Sequence, residues 1–461
     1  MAATGATTTV VIGLGRSGIG AARLLLNRGE TVLLFESRSD AALDAKAAAL
    51  RQEGIEVRLG TPLAIESFEH GGAPVGTVVV SPGIRWDHPV LDQLRERGVR
   101  VLGEMTPAWQ ATASIPWIGI TGTNGKTTVT HLVHHLLVEA GLDAPLCGNV
   151  GFSAAELALE RQNGPRPDCL VVELSSYQIE AAPELTPEIG LWTTLTPDHL
   201  ERHGTLDNYR AIKRQLLNNA GKRILNADDP DIRSRADSWD HADWVTAGRR
   251  EDLPAGIDPL LWIEAGRVCH HGGDLFAADA LAMPGAHNRQ NMLMAAATAL
   301  AWNIPAETIE AALRSFPGVP HRLERVRELE GTVWYNDSKA TNYDAAEVAL
   351  RALQGPLVVL AGGQSKQGEA RAWLEQLERQ AAAVVLFGAA RDEFAGLLEG
   401  SGYGGTVVAV ETMDEAVDRA SALAGPLGCR GVLLSPACAS FDQYSDFEAR
   451  GDHFRRLVEA L

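Results

Sequence analysis

Lysine is scarce in this chain, with six residues against thirty-five arginines. Four of the six (Lys126, Lys213, Lys339 and Lys366) fall in motif-like stretches. A chain that otherwise uses arginine keeps lysine where a guanidinium fails: a compact ammonium on a phosphate, or an amine that can lose its proton. Codon bias with accidental leftovers is the competing account. Cysteine is also sparse. The five residues Cys147, Cys169, Cys269, Cys429 and Cys438 are odd in number and irregularly spaced. They fit a reducing compartment and no metal cluster. No apolar stretch is long enough to span a bilayer, and the first apolar run stops at Gly13 with no basic segment before it. Neither a membrane segment nor a signal peptide is expected, and the cytoplasm is the expected location. Positive charge is in deficit. The net charge of −18 argues against a nucleic-acid or anionic-membrane partner but not against local phosphate binding. What is present is a globular composition, 45% hydrophobic and 22% charged over 461 residues, enough for two or three domains.

Strand and helix patterns alternate along the whole chain. Thr8–Ile12, Thr31–Phe35, Thr77–Val80 and Val99–Leu102 read as strands separated by helices. A second unit holds strands at Trp117–Thr121, Cys169–Glu173 and Leu191–Leu195, with helices across Asn208–Asn219 and Asn291–Trp302. Between Asp231 and Pro284 the pattern is weak and reads as irregular or short β. The breaker cluster Phe316–Pro320 opens a third unit with strands at Val333–Tyr335, Leu357–Leu360, Val384–Phe387, Val407–Val410 and Val432–Leu434. The expected fold class is α/β, with three consecutive α/β domains over residues 1–105, 106–317 and 318–461.

The strongest motif runs from Trp117 through Gly122-Thr123-Asn124-Gly125-Lys126-Thr127-Thr128. Strand, glycine loop, lysine, hydroxyl and helix together build a nest of backbone N–H groups for a nucleotide's phosphates. Lys126 is placed on the β- and γ-phosphates and the Thr127 hydroxyl on Mg²⁺. The general phosphate-loop pattern needs a glycine where Ile120 stands, so this is a shortened form. An ordinary glycine turn is the bland alternative.

A second glycine loop, Gly13-Leu14-Gly15-Arg16-Ser17-Gly18, precedes Glu36 at the end of the next strand. Alone it predicts a dinucleotide-dependent oxidoreductase. A second phosphate loop a hundred residues later favours the diphosphate of another nucleotide, with Glu36-Ser37-Arg38 near its base or ribose. Glu173 ends an apolar strand, where a Mg²⁺ ligand belongs. His199 reads as a metal ligand or a hydrogen-bonded core histidine. From spacing alone, Lys213 reads as an exposed helix lysine. Asn288 and Asn291 suit an adenine edge or phosphate, with helix capping as the competing account. Asn336–Asn342 and Ser435–Asp442 are polar clusters denser than a turn requires. Cys438 is rejected as a nucleophile, since no histidine lies close in sequence.

The ordered set GLGRSG, FESR, SPGI, GTNGKTT, GNVG, ELSSYQIE, TPDHLERHG, YRAIK, GAHNRQN, PHRLE, NDSKATN and SPACASFDQ resembles the Mur ligase family over essentially the whole chain. NDSKATN and SPACASFDQ resemble the branch that adds D-glutamate. The resemblance implies a Rossmann-like domain for the UDP-sugar substrate, a central P-loop domain for ATP and Mg²⁺, and a C-terminal Rossmann-like domain for the amino acid. It implies that UDP-N-acetylmuramoyl-L-alanine and D-glutamate are joined by an ATP-driven acyl-phosphate route, in a monomeric protein. By matched position, Lys213 would be carbamylated and hold a second Mg²⁺ with His199, while Thr127 and Glu173 hold the first. Asn149 would lie near the substrate. Asn288, Asn291, Arg322 and Asp337 would meet ATP, and Ser17, Glu36, Ser37 and Arg38 the UDP. Thr341, Lys366, Ser440 and Phe447 would hold D-glutamate.

Overall fold

The computed structural model describes residues 7–69, 73–162, 164–283, 285–365 and 368–461. They form two compact units, Met1–Phe316 and Pro317–Leu461 by chain number. Among the described residues no helix is long and apolar enough to cross a membrane, and all five cysteines are buried free thiols.

The first unit carries two sheets. Strands β1 (Thr8–Ile12), β2 (Thr31–Phe35), β3 (Glu56–Arg58), β4 (Val75–Val80) and β5 (Arg100–Gly103) lie in the order β3-β2-β1-β4-β5, all parallel. Val10, Val11, Val78 and Val79 are fully buried, because a helix-covered parallel strand has no solvent face. The second sheet contains β6 (Trp117–Thr121), β7 (Leu146–Gly148), β8 (Leu170–Glu173), β9 (Ile189–Trp192), β10 (Lys222–Asn226), β11 (Ala242–Val245), β12 (Pro259–Glu264), β13 (Arg267–His270) and β14 (Gly273–Ala277). Their order is β14-β13-β12-β11-β10-β9-β6-β8-β7, parallel except for the β12–β14 meander. The weakly patterned stretch is thus a run of short strands ending the sheet.

Chain order reverses around β6, which has β8 on one side and β9 on the other. That is a topological switch point, where ligands bind beyond the strand ends. The expected strand Leu191–Leu195 ends instead at Trp192. Thr193 to Thr196 leave the sheet because their polar groups brace the neighbouring loop. The two sheets of this unit are knit together by helix contacts. Gly20, on the helix Arg16–Asn27, abuts Ser153 so closely that a Cβ there would lie 2.4 Å from its hydroxyl.

The second unit carries β15 (Glu324–Leu329), β16 (Thr332–Asn336), β17 (Leu357–Gly362), β18 (Ala381–Phe387), β19 (Thr406–Ala409) and β20 (Gly431–Leu434), in the order β15-β16-β20-β17-β18-β19. Only β15 is antiparallel. The last strand inserts between β16 and β17, so the loops after β16, β17 and β20 leave one edge side by side.

Candidate functional site

Gly125 ends the loop after β6 at φ 82°, and its N–H and those following open the helix Lys126–Glu139 with no side-chain cap. A Cβ at Gly125 would lie 2.7 Å from Asn291 Oδ1, so a positive φ and a close approach both require glycine. Lys126 Nζ donates to the carbonyl oxygens of Gly122 and Thr123, each at 2.9 Å, and so folds back over its own loop. The segment after β9 holds this loop from outside. Thr123 N–H donates to Thr194 O at 2.8 Å. Asn124 N–H donates to Thr194 Oγ1 at 2.9 Å, and the Thr193 hydroxyl donates to Asn124 O. Free helix N–H groups with a preset cradle bind an anion at low reorganisation cost. Thr127 and Thr128 in the first turn are both buried.

Glu173 closes the site. It ends β8 in register with Ile120 of β6, one residue before Thr121. Its side chain is 1% exposed. Oε1 accepts from Asn149 Nδ2 at 2.8 Å, while Oε2 is buried without a hydrogen-bond partner among the described residues. A buried carboxylate oxygen left without a partner is costly unless a cation or donor joins it. No three His, Cys, Asp or Glu side chains converge here or elsewhere among the described residues. One carboxylate plus the Thr127 hydroxyl is nevertheless a fitting donor set for Mg²⁺, which keeps waters and takes its other oxygens from phosphates.

Lys213 departs from its spacing-based reading as an exposed lysine, because the side chain is 1% exposed. Nζ donates to Gly122 O at 2.8 Å and Thr121 Oγ1 at 3.3 Å, and lies 4.6 Å from the Tyr209 ring centre. Burial, then the Lys126 charge, pushes its pKa well below the ordinary lysine value, against the pull of Asp198 and Glu173. Burial thus disfavours the charged form of this amine. His199 stands at φ 53°, half exposed, with Nε2 3.5 Å from Asp198 Oδ2 and its ring against Tyr177. It is not a core histidine. That role belongs to His203, which shares a 2.9 Å hydrogen bond with the Ser176 hydroxyl and is pushed down to about 4, chiefly by burial.

The helix Ala286–Ala301 starts five residues earlier than its apolar pattern, with Gly285 as its N-cap and no side-chain cap. Capping therefore does not account for Asn288 and Asn291. Both are buried in the first turns, where Asn291 Nδ2 donates to Asn288 Oδ1 at 3.3 Å.

At the other glycine loop, Gly18 packs against the loop's own backbone, and a Cβ there would lie 2.0 Å from Gly13 O. Ser17 sits in the first turn of the uncapped helix Arg16–Asn27. A dinucleotide site would turn the acidic residue toward a ribose. Here Glu36 accepts from Leu14 N and Arg38 N, each at 3.1 Å, with Ser37 Oγ at 3.4 Å and Arg38 Nε at 3.5 Å. Burial would raise its pKa, but these backbone donors outweigh it and hold the carboxylate below its usual range.

In the second unit, Asp337 follows β16. Its Oδ1 accepts from Leu323 N at 3.1 Å and its Oδ2 from Ser435 Oγ at 3.0 Å. Burial pushes its pKa up to about 7, against those donors and the nearby Arg322 charge. Arg322 is exposed. The sequence reading missed Arg450. It is fully buried and donates to Ser338 Oγ and O, Cys438 O and Ala439 O at 2.8–3.2 Å. It ties the loop after β16 to the loop after β20, and burial lowers it to about 10. A signal existed, since Arg450, Phe454 and Val458 are four apart on the buried face of one helix. Ser440 is buried just beyond that staple. The Phe447 carbonyl accepts from Ser338 Oγ at 2.8 Å, and its ring lies 5.6 Å from Lys339 Nζ. Thr341 is half-buried after β16. Lys366 lies outside the described residues.

Comparisons with known proteins match this layout. The Mur ligase MurD-like N-terminal domain matches residues 7–103, the Mur ligase middle domain 120–299, and the Mur ligase glutamate ligase domain 321–438. UDP-N-acetylmuramoylalanine--D-glutamate ligase of Parasynechococcus marenigrum (strain WH8102) is 56% identical over 456 residues, 98% of each chain. The protein of the same name from Synechococcus sp. (strain CC9605) is 55% identical over 460 residues, 99% of each chain. The solved UDP-N-acetylmuramate-alanine ligase of Thermotoga maritima shares the fold, with a TM-score of 0.60 and 19% identity over 98% of this chain and 99% of that one.

Proposed function

The chain belongs to the Mur ligase family, and from that premise we propose the assignment of its residues to the reaction. It is an ATP-dependent ligase that adds D-glutamate to UDP-N-acetylmuramoyl-L-alanine in peptidoglycan synthesis. The observation that carries the residue assignment is the pairing of a preformed phosphate loop with the buried, half-satisfied carboxylate of Glu173 on the adjacent strand.

In this reading residues 1–105 bind the UDP through Ser17, Glu36, Ser37 and Arg38. Residues 106–317 bind ATP, and residues 318–461 take D-glutamate. The loop Gly122–Thr128 holds the ATP phosphates, and Lys126 turns from its loop carbonyls to the γ-phosphate. Asn288 and Asn291, with Arg322 and Asp337, complete the nucleotide contacts. The L-alanyl carboxylate attacks the γ-phosphorus, the bond to ADP breaks, and an acyl phosphate forms. The amine of D-glutamate, held by Thr341, Lys366, Ser440 and Phe447, adds to the acyl carbon. The tetrahedral intermediate collapses with loss of phosphate. Such transfers depend on positioning and charge neutralisation more than on covalent help. Mg²⁺ bound by Thr127 and Glu173 would supply part of that neutralisation.

Carbamylation of Lys213 is the finer part of the proposal. A buried lysine with a lowered pKa has the free amine that adds to carbon dioxide, and the resulting anion would hold a second Mg²⁺ together with His199. Asn149 then faces the substrate carboxylate. We assign the protein to the cytoplasm, where soluble ATP and a nucleotide-activated sugar are found, and propose that it works as a monomer; sedimentation as a dimer would refute the monomer.

The test is ADP release with UDP-N-acetylmuramoyl-L-alanine, Mg-ATP and either D- or L-glutamate. Turnover with the D enantiomer alone is expected. Turnover only with a different amino acid would overturn the substrate.

A further inference from the structure

Phe152 is 59% exposed, yet the backbone that carries it is held from both sides. On one side is the turn that presents Asn149. Asn149 N–H donates to Glu173 O at 2.9 Å, and a Cβ at Gly148, φ 102°, would lie 2.3 Å from that same oxygen. On the other side Ser153 caps the helix Ala154–Arg161 in a reciprocal capping box with Glu156. That cap is the surface against which Gly20 packs. Single exposed apolar residues are ordinary. This one differs in its place. Arg16, the first residue of the helix that follows the glycine loop, donates from Nη1 to Gly151 O at 2.9 Å. On the proposed assignment, the loop given to the diphosphate reaches Gly151, one residue from Phe152, and the side given to the reacting carboxylate reaches Asn149, three residues from it.

Between the diphosphate and the reacting carboxylate of a nucleotide-sugar acid lies the hexose. We propose that Phe152 is the platform for that sugar ring, a specificity-determining residue that packs its face against the ring's C–H groups. The inference rests on the proposed function for the identity of the substrate. The chemistry suits the position. A sugar ring shows one face of C–H bonds of slight positive charge, and an aromatic face carries the complementary negative charge. Ligand sites commonly combine such an apolar wall with a few fixed polar groups. A braced backbone fixes the direction in which the side chain leaves the chain, so only its two side-chain rotations remain to be ordered when the sugar arrives.

The experiment is calorimetric titration of the full chain and its Phe152→Ala and Phe152→Trp variants with UDP-N-acetylmuramoyl-L-alanine and with UDP alone. Phe152→Ala is expected to weaken the sugar nucleotide about three- to tenfold and leave UDP unchanged. Phe152→Trp should restore the affinity. Thermal melting serves as the folding control, since an exposed ring contributes little to stability. In turnover, Phe152→Ala should raise KM for the sugar nucleotide while kcat and KM for ATP hold. Equal affinity of Phe152→Ala and native protein for the sugar nucleotide overturns the platform, as does an equal loss for UDP. If the native chain binds the sugar nucleotide without turning it over, the selective loss in Phe152→Ala still upholds the platform while the reaction fails. Absence of any binding by the native chain overturns both.

Discussion

Glu173 accepts a 2.8 Å hydrogen bond from Asn149 on one carboxylate oxygen and keeps the other buried without a partner among the described residues. Glu173 ends β8, and Asn149 directly follows Gly148, the residue of the parallel strand β7 that lies in register with Glu173, so sheet geometry brings them together. Glu173→Gln keeps the size and the acceptor but removes the charge a divalent cation needs. We expect a loss of about 10²-fold or more in kcat together with a raised Mg²⁺ requirement. Activity titrated against Mg²⁺ checks this, and an unchanged Mg²⁺ dependence would remove Glu173 from the metal assignment.

Lys126 folds back onto the Gly122 and Thr123 carbonyls of its own loop, sharing Gly122 O with the buried Lys213. Lys126→Ala should lower ATP-dependent turnover by about 10²–10³-fold, the loss of one charged donor from the developing phosphoryl charge. Thermal stability should barely move. Near-normal turnover would sink the phosphate assignment.

Lys213→Arg tests whether the lysine acts through a carbamate rather than through its positive charge. Arginine keeps the positive charge and the stem but does not lose its proton, so it cannot form a carbamate. The expected loss approaches that of Lys126→Ala. A turnover within about threefold of native would falsify the carbamate.

Asp337 makes a prediction about pH. Burial raises its folded-state pKa to about 7 from an ordinary value near 3.8. The native chain therefore binds this proton more tightly than the unfolded chain does. Its stabilising contribution is present below pH 4, falls as pH rises from about 4 to about 7, and is flat above that. Asp337→Asn should remove a slope amounting to roughly 4 kcal/mol across the window, of which about 3 kcal/mol lies above pH 5. Urea unfolding of both proteins at pH 5 and pH 8 measures it, and parallel pH profiles would contradict the raised value.

Arg450 buries a guanidinium whose donors all go to hydroxyl and carbonyl oxygens of two loops. Arg450→Lys keeps a charge but lacks the fork, leaving carbonyl oxygens unpaired. It should cost about 3 kcal/mol and raise KM for D-glutamate more than KM for ATP. Equal changes in both constants would show a merely structural role.

Much of this was legible in the order of residues. Alternating apolar runs locate most strands of the three sheets, because a parallel strand covered on both faces must be apolar throughout. The phosphate loop, Glu173 and the glycine loop near the N-terminus are local features. Their chemistry is written in a few adjacent residues. Other elements were hidden for physical reasons. Glu324–Leu329, an antiparallel edge strand, is mostly charged, with only Val326 and Leu329 apolar and three residues apart, and lacks a buried run. Glu56–Arg58 and Leu146–Gly148 are only three residues long.

The sequence by itself determined the α/β class, the two glycine loops and the set of residue types a ligase of this family uses. Each of these depends on neighbours within a turn or two. Only the tertiary structure decided that Lys213 is buried, that Asn288 and Asn291 are not caps, and that Arg450 joins two loops. It alone brought Arg16 to Gly151, 135 residues away. Burial and long-range contact come from strand order across a switch point, and no local spacing encodes that order.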